Sequence, residues 1–455
     1  MISAMTIKSP PSTKKKKPSS VRHTRAIQRD RAKRPTVAPS APQVEARLSE
    51  LIQPATFAQV ASFQQMGLRE RVLTLPVMMA FVLSLIWRHL GSVAEATRVL
   101  RQEGLLWVEP TKVSSQALTA RLGSLPACLF EQVLHDILPQ MQQRWQSRQR
   151  PIPPALAWAQ QHFTEVLALD GSTLDALLHK VGLLQGRDKR ALAGRMAGLL
   201  NLATRLPRQL WYEDDSQAHD QRFWQRVIAT LEPGVLLIFD LGFVNYAHYD
   251  DLTAKKLSFI TRVAESMAFQ VERVLQANGE VHDLLVWVGS SESSRCQHLL
   301  RLVEVKHGDR WYRYLTNVLD PEVLPAVYVM VLYWQRWRIE DAFAIVKRLL
   351  GLAYFWSGSS NGVQVQLWAS WLVYAVLVDL TDAVAAALEK PAAALSLEMV
   401  YRGLYHFTQA SQRGLADDVV AYLAANATWL GILKRPRKQR TAFAGLVDLT
   451  IPPDP

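Results

Sequence analysis

The sequence predicts a mixed α/β chain in four stretches: a helical N-terminal region, an α/β sheet core, a mostly β insertion and a return to helix. Three observations predict it. Residues from about 41 to 150 repeat apolar side chains at helical spacing. From about Pro151, short apolar runs alternate with helical ones in the order β, β–β, α, β, α, β. Residues 264–325 are rich in β-formers and punctuated by Gly279, Gly289 and His307-Gly308-Asp309.

The formal charge of +12 over 455 residues is unevenly placed. Residues 1–40 hold eleven Lys and Arg against one acid, Asp30, so +10 lies there and +2 in the rest. With few large apolar groups, this segment reads as a disordered basic arm suited to phosphate contacts by counterion release, or as a solvated leader. Any nucleic-acid surface on the folded body must be a local patch. Cys128 and Cys296 fit neither a disulfide nor a metal spacing, and a reducing cytosol suits them. No apolar h-region follows the N-terminal charges. Val77–Trp87 is too short to span a bilayer. Val363–Val378 carries Gln364, Gln366 and Ser370, so both runs read as buried helices and no membrane is expected.

Within 41–150, Ser92 and Glu95 form a capping box at one helix start, and Ser114 or Ser115 caps another. Two short helices, the second bearing Gln116, Thr119 and Arg121, suit a helix-turn-helix DNA reader or plain helical packing. In the core, TEVLALDGSTLD is an apolar strand that ends in Asp170 and a turn, and MAGLLNLATRLPRQLWYEDD holds two strands. HDQRFWQRVIATL is an amphipathic helix, and GVLLIFDLGF is a second buried strand ending at Asp240. A helix over Tyr246–Lys256 and the strand LSFITRV follow. Carboxylates thus stand at two central strand ends, where α/β sheets carry their sites. Either aspartate alone could simply cap the next helix. The insertion mixes Arg295, Arg301, Lys306, Arg310 and Arg313 with Trp287, Trp311, Tyr312 and Tyr314. Such a mixture suits a nucleic-acid surface with stacking platforms, or an ordinary sheet with solvated charges.

The chemistry concentrates in YWQRWRIEDAFAIVK, residues 333–347. At 100° per residue, Tyr333, Arg336, Glu340 and Lys347 lie within about 60° of each other. Ile339, Ala342, Ile345 and Val346 form the apolar back. The polar ridge offers a carboxylate for a metal and three groups for phosphate, although an amphipathic surface helix with an Arg/Glu pair would look similar. Asp170, Asp240 and Glu340 together are the all-oxygen set that two-metal phosphoryl transfer requires.

The helix carries Y-x2-R-x3-E-x6-K in full, as Tyr333, Arg336, Glu340 and Lys347. With LALDGS and IFDLGF upstream, the chain resembles the DDE transposases of the insertion-sequence-four family over roughly 150–380. YLTNVLD at 314–320 and FITRV at 259–263 are similar too. Leu241 after Asp240 departs from the pattern, since many relatives place Arg there.

The resemblance implies an α/β RNase H-like catalytic core with a mostly β insertion, preceded by an all-α N-terminal DNA-binding region and followed by C-terminal helices. The expected boundaries are 1–40 basic arm, 41–150 helical DNA-binding domain, 151–263 and 326–395 the two parts of the core, 264–325 the insertion, and 396–455 C-terminal helices with a basic tail. Asp170, Asp240 and Glu340 would bind two Mg²⁺ or Mn²⁺ ions and catalyse. Tyr333, Arg336, Lys347 and Arg262 would contact DNA, with Trp287 and Trp311 as candidates to stack on a flipped base. Implied partners are double-stranded DNA, both terminal inverted repeats and target, and a second copy of the chain in a synaptic dimer. Cleavage, a hairpin end and strand transfer would follow in the bacterial cytoplasm, at the nucleoid. An RNase H-like nuclease without strand transfer, or an inactive DNA-binding descendant, are the alternatives.

Overall fold

A computed structural model describes residues 42–68, 71–174, 194–215, 218–243, 245–289, 295–352, 355–357 and 359–434. The basic arm and the C-terminal basic cluster from Arg435 onward lie outside the described residues.

Seven helices come first: α1 Pro42–Ala58, α2 Val60–Gln65, α3 Leu75–Trp87, α4 Val93–Gln102, α5 Ser115–Ser124, α6 Ala127–Ser147 and α7 Pro154–His162. Ser92 Oγ accepts from Glu95 N–H at the start of α4, and Ser114 Oγ from Ala117 N–H at the start of α5. The helix-turn-helix expectation is overturned here. Such a motif joins its helices by a turn of about three or four residues. The α4–α5 connection instead runs from Glu103 to Ser114. Arg121 is also committed to packing, since its Nε donates to the Leu73 carbonyl and its guanidinium lies over Phe63.

The sheet follows: β1 Val166–Thr173, β2 Arg195–Asn201, β3 Pro207–Glu213, a short 3₁₀ turn Asp220–Phe223, α8 Trp224–Thr230, β4 Leu236–Phe239, α9 Tyr246–Ala254 and β5 Ser258–Arg262. This is the order expected from the sequence. The insertion supplies β6 Phe269–Ala277, β7 Val281–Val288, β8 Leu300–His307 and β9 Arg310–Thr316. It does not form a separate sheet. β9 pairs antiparallel with β5, Ile260 opposite Thr316, giving nine strands in the order β3-β2-β1-β4-β5-β9-β8-β7-β6. β1, β4 and β5 run parallel in the middle, so their C-terminal ends share one edge.

Side chains alternate across the sheet. Val166 and Ala168 join Leu236 and Ile238 in a large core with the N- and C-terminal helices. Leu167 and Leu169 join Leu237 and Phe239 on the other face, beneath α8 and α9. By the same alternation, Asp170 continues the first face and Gly171 the second.

The chain closes with α10 Ala326–Gln335, α11 Trp337–Ala344, a π-helical turn Ile345–Leu349, α12 Ser360–Ala387, α13 Leu397–Gln412 and α14 Val419–Ala425. The single helix expected over 333–347 is therefore divided at Arg336 and widened after Ala344. By length and apolar composition α12 would qualify as a membrane span, but nearly all of its apolar window is buried inside the protein. Its two buried acids are clamped by arginines. Arg47, Arg144 and Arg148 reach Asp379, and Arg148 and Arg150 reach Asp382. These arginines come from α1, from α6 and from the two residues that follow it closely, so charge as well as apolar packing joins the N-terminal helices to α12.

Two residues assigned to the basic surface of the insertion are interior. Arg301 is fully buried; its Nε and Nη2 bind Asp283 at 2.7 and 2.6 Å, and Nη1 donates to the carbonyl of Leu324 at 2.8 Å. Tyr314 is buried and accepts from Trp334 Nε1 at 3.0 Å. Their alternation in the strand places them inward, which their polar character concealed. Replacing one partner of a buried ion pair strands the other charge. Asp283→Ala should therefore destabilise the protein by about 3–5 kcal/mol in urea denaturation, and the double variant Asp283→Leu/Arg301→Met should recover most of it.

Candidate active site at the strand ends

Asp170 lies near the end of β1 and Asp240 immediately follows β4, which pairs with β1 in parallel from Val166 opposite Leu236 to Leu169 opposite Phe239. The strand expected to end in a turn at Asp170 runs on to Thr173, with Asp170 opposite Gly198 of β2, whereas β4 does stop just before Asp240. Gly171 N–H donates to Asp170 Oδ1 at 2.7 Å, and Gly242 N–H to Asp240 Oδ1 at 2.9 Å. α11 packs on β1 and β2 and brings the third acid. Arg336, between α10 and α11, joins the set: Nη1 meets Asp170 Oδ2 at 3.0 Å and Nη2 meets Glu340 Oε1 at 3.1 Å. One buried guanidinium thus bridges a strand-end acid and a helix acid.

The electrostatics follow from this crowding. Burial pushes the Asp170 carboxyl up to about 7, Arg336 opposes the rise, and Asp240 and Glu340 add to it. Glu340 is also raised, chiefly by burial, with Asp240 contributing. Burial by itself would weaken the charge on Arg336, but Asp170 beside it prevails and the guanidinium stays protonated. The three acids therefore feel one another's charge. Their all-oxygen chemistry fits Mg²⁺ or Mn²⁺. Among the described residues, no three acids, imidazoles or thiols stand close enough together to hold a metal ion in this arrangement, in which Arg336 lies between Asp170 and Glu340.

The other expected site residues are distributed unequally. Lys347, in the π turn, donates from Nζ to Ser172 Oγ at 2.6 Å, two residues beyond Asp170. Tyr333 is fully buried, with its ring 4.9 Å from that of Tyr314 and the Arg336 guanidinium 5.7 Å above it. In this arrangement it packs behind Arg336. Arg262 ends β5, at the same sheet edge as the two aspartates.

Strand register separates the two tryptophans. Arg262 lies opposite Tyr314, so Trp311, three residues earlier on antiparallel β9, extends past Arg262 at the carboxylate edge. Trp311 is part-exposed and stacks on His282 at 4.3 Å. Trp287 lies opposite Gln270, toward the other end of its strands. Its Nε1 donates to Glu272 and its ring is covered by Arg295 at 4.2 Å.

Sequence reasoning missed Asp220. From the 3₁₀ turn ahead of α8 it reaches the same strand ends, and its Oδ1 accepts from Arg195 Nε at 2.9 Å. Its carboxyl is raised by burial, Arg195 opposes that, and Asp240 adds to it. The available signal was the glycine that closely follows each aspartate, Gly171 and Gly242, which leaves space beside both.

Comparison with known proteins gives matches in sequence and in structure. Residues 161–376 match the family described as Transposase DDE domain, a span that contains all three acids. A curated protein of Sinorhizobium fredii (strain NBRC 101917 / NGR234), named "Putative transposase y4zB", is 29% identical over 170 residues, 36% of this chain and 47% of that protein. The matched part thus spans about half the length of that relative. A cryo-EM structure of a piggyBac transposase synaptic complex with hairpin DNA is similar over 87% of this chain and 84% of that one, at 12% identity and a TM-score of 0.35. The two sequence matches support a DDE transposase.

A carboxylate raised in the folded chain keeps its proton where the unfolded chain has already released one. Stability then falls as pH rises from about 4 toward about 7, the window set by Asp170. In EDTA, the Tm of the wild-type protein should therefore drop between pH 5 and pH 8, and Asp170→Asn should flatten that drop. Equal slopes in a thermal-shift series would contradict the assignment of the proton to Asp170.

Proposed function

We propose that the chain is a DDE transposase that binds the terminal inverted repeats of a mobile element and performs strand cleavage and strand transfer. The observation that carries the reading is the Arg336 guanidinium joining Asp170 to Glu340, with Asp240 just past the end of the parallel neighbouring strand. The sheet order also supports an RNase H-like core. Three antiparallel strands precede two parallel ones, and a helix delivers the last acid to the first strand.

In this reading the three carboxylates hold two divalent cations, which lower the barrier to in-line attack on a phosphodiester. Arg336 keeps Asp170 and Glu340 together before DNA arrives and then offers its charge to the scissile phosphate. Lys347 shifts from Ser172 to a neighbouring phosphate. Tyr333 supports Arg336 from beneath. A freed 3′-hydroxyl, aligned at the same edge, attacks the opposite strand to give a hairpin end, which is reopened before joining to target DNA. Trp311, exposed at this edge, is the better placed of the two tryptophans to stack on a flipped base. The helices of 41–150 contact the terminal repeat, the basic arm adds sequence-independent affinity, and two copies pair the two ends.

Glu340→Gln should lower Mg²⁺-dependent cleavage of an end-containing duplex by about three orders of magnitude while leaving gel-shift affinity within a fewfold. Retained cleavage would remove Glu340 from the site. Cleavage by the wild type without joining would indicate a nuclease, and binding without either step an inactive relative. Deleting residues 1–40 should reduce the slope of log K against log salt by several units, as loss of several phosphate contacts requires. An unchanged slope in a fluorescence-anisotropy titration would show that the arm stays off the DNA.

A further inference from the structure

The two aspartates at the strand ends are each followed closely by a glycine, Gly171 and Gly242. Neither has the positive φ for which glycine is ordinarily required. Space explains them instead. A Cβ on Gly171 would stand 2.0 Å from Asp220 Oδ1, closer than any real contact. A Cβ on Gly242 would stand 3.0 Å from Asp220 Oδ2 and 3.1 Å from Asp240 Oδ1. Two glycines about seventy residues apart thus leave room for the same carboxylate. Asp220 reaches it from the sheet face opposite α11, and Arg195, at the start of β2, holds it in place through Nε and Nη2.

An acid beside another acid is costly unless something compensates. Arg195 compensates at Oδ1, while Oδ2 is the atom turned toward Gly242 and Asp240. Two carboxylates bordering one glycine favour a cation nearby and fix the turn between them.

We propose that Asp220 is a positioning residue for the site: held by Arg195 and seated over Gly171 and Gly242, it braces the Asp240–Gly242 turn and sets the direction of the Asp240 carboxylate toward a divalent cation. This rests on the reading of Asp170, Asp240 and Glu340 as metal ligands. Asp220 acts through Asp240 and makes no contact with the reacting phosphate.

Two variants of the full chain test it. Asp220→Asn keeps the shape and removes the charge; Gly171→Ala keeps the charge and displaces the carboxylate. Mn²⁺ alone is titrated calorimetrically without DNA, beside a thermal-shift measurement in EDTA. Both variants should weaken Mn²⁺ binding by about fivefold to tenfold with Tm in EDTA within a few degrees of wild type. The Mg²⁺ midpoint for cleavage should rise by a similar factor, with the rate at saturating Mg²⁺ largely restored. A Mn²⁺ midpoint within twofold of wild type in both variants would overturn the proposal. So would a loss of Tm with binding preserved in the folded fraction, which marks Asp220 as structural only. Failure of the wild type itself to bind Mn²⁺ would instead defeat the reading of the three acids, and this proposal with it.

Discussion

The buried Arg336 guanidinium, shared between Asp170 and Glu340, is the contact on which the rest of the arrangement depends. Three acids gathered at one edge would repel, and burying them would drive protons onto them. One fixed positive charge offsets part of this and ties the sheet to the helix that follows it. The helix break falls at the same residue. Arg336 is the point where α10 gives way to α11, so the backbone change and the charge contact coincide. Tyr333 and Trp337 flank the guanidinium with ring faces, which keeps it ordered without adding another acid.

Two further sets of charges hold the larger units in register with that contact. Arg301 and Asp283 lock β8 to β7, and the same guanidinium gathers the carbonyls of the loop that leads into α10. The strands added after β5 are thereby coupled to the start of the helix pair carrying Arg336 and Glu340. On the other side, Asp379 and Asp382 of α12 are met by arginines from the N-terminal helices and the residues that follow them. In both places a buried acid is matched to donors from a distant part of the chain, which favours one relative placement of the units over others.

Much of this was legible in sequence. LALDGS and LLIFDLGF are short apolar runs ending in an acid, and such runs are buried strands whatever else surrounds them. The spacing of Tyr333, Arg336, Glu340 and Lys347 marked one side of a helix. What was not legible is non-local. Pairing of β9 with β5 depends on register between segments some fifty residues apart, so the insertion read as a separate unit. Arg301 in LRLVEVK looks like a surface charge until Asp283 is found beside it. Asp220 precedes an amphipathic helix as many capping residues do, and its place at the site rests on two glycines and an arginine from other segments.

The π turn over Ile345–Leu349 has a consequence for the interval between Glu340 and Lys347. A π turn takes in an extra residue without lengthening the helix by a full step, and so rotates everything after it relative to what comes before. Lys347 lies inside this turn and reaches Ser172 near the end of β1 from there. Removing a residue between Glu340 and Lys347 would turn the buried Val346 and Leu350 together with the lysine. The length of this short interval is therefore held by the core as much as by the lysine.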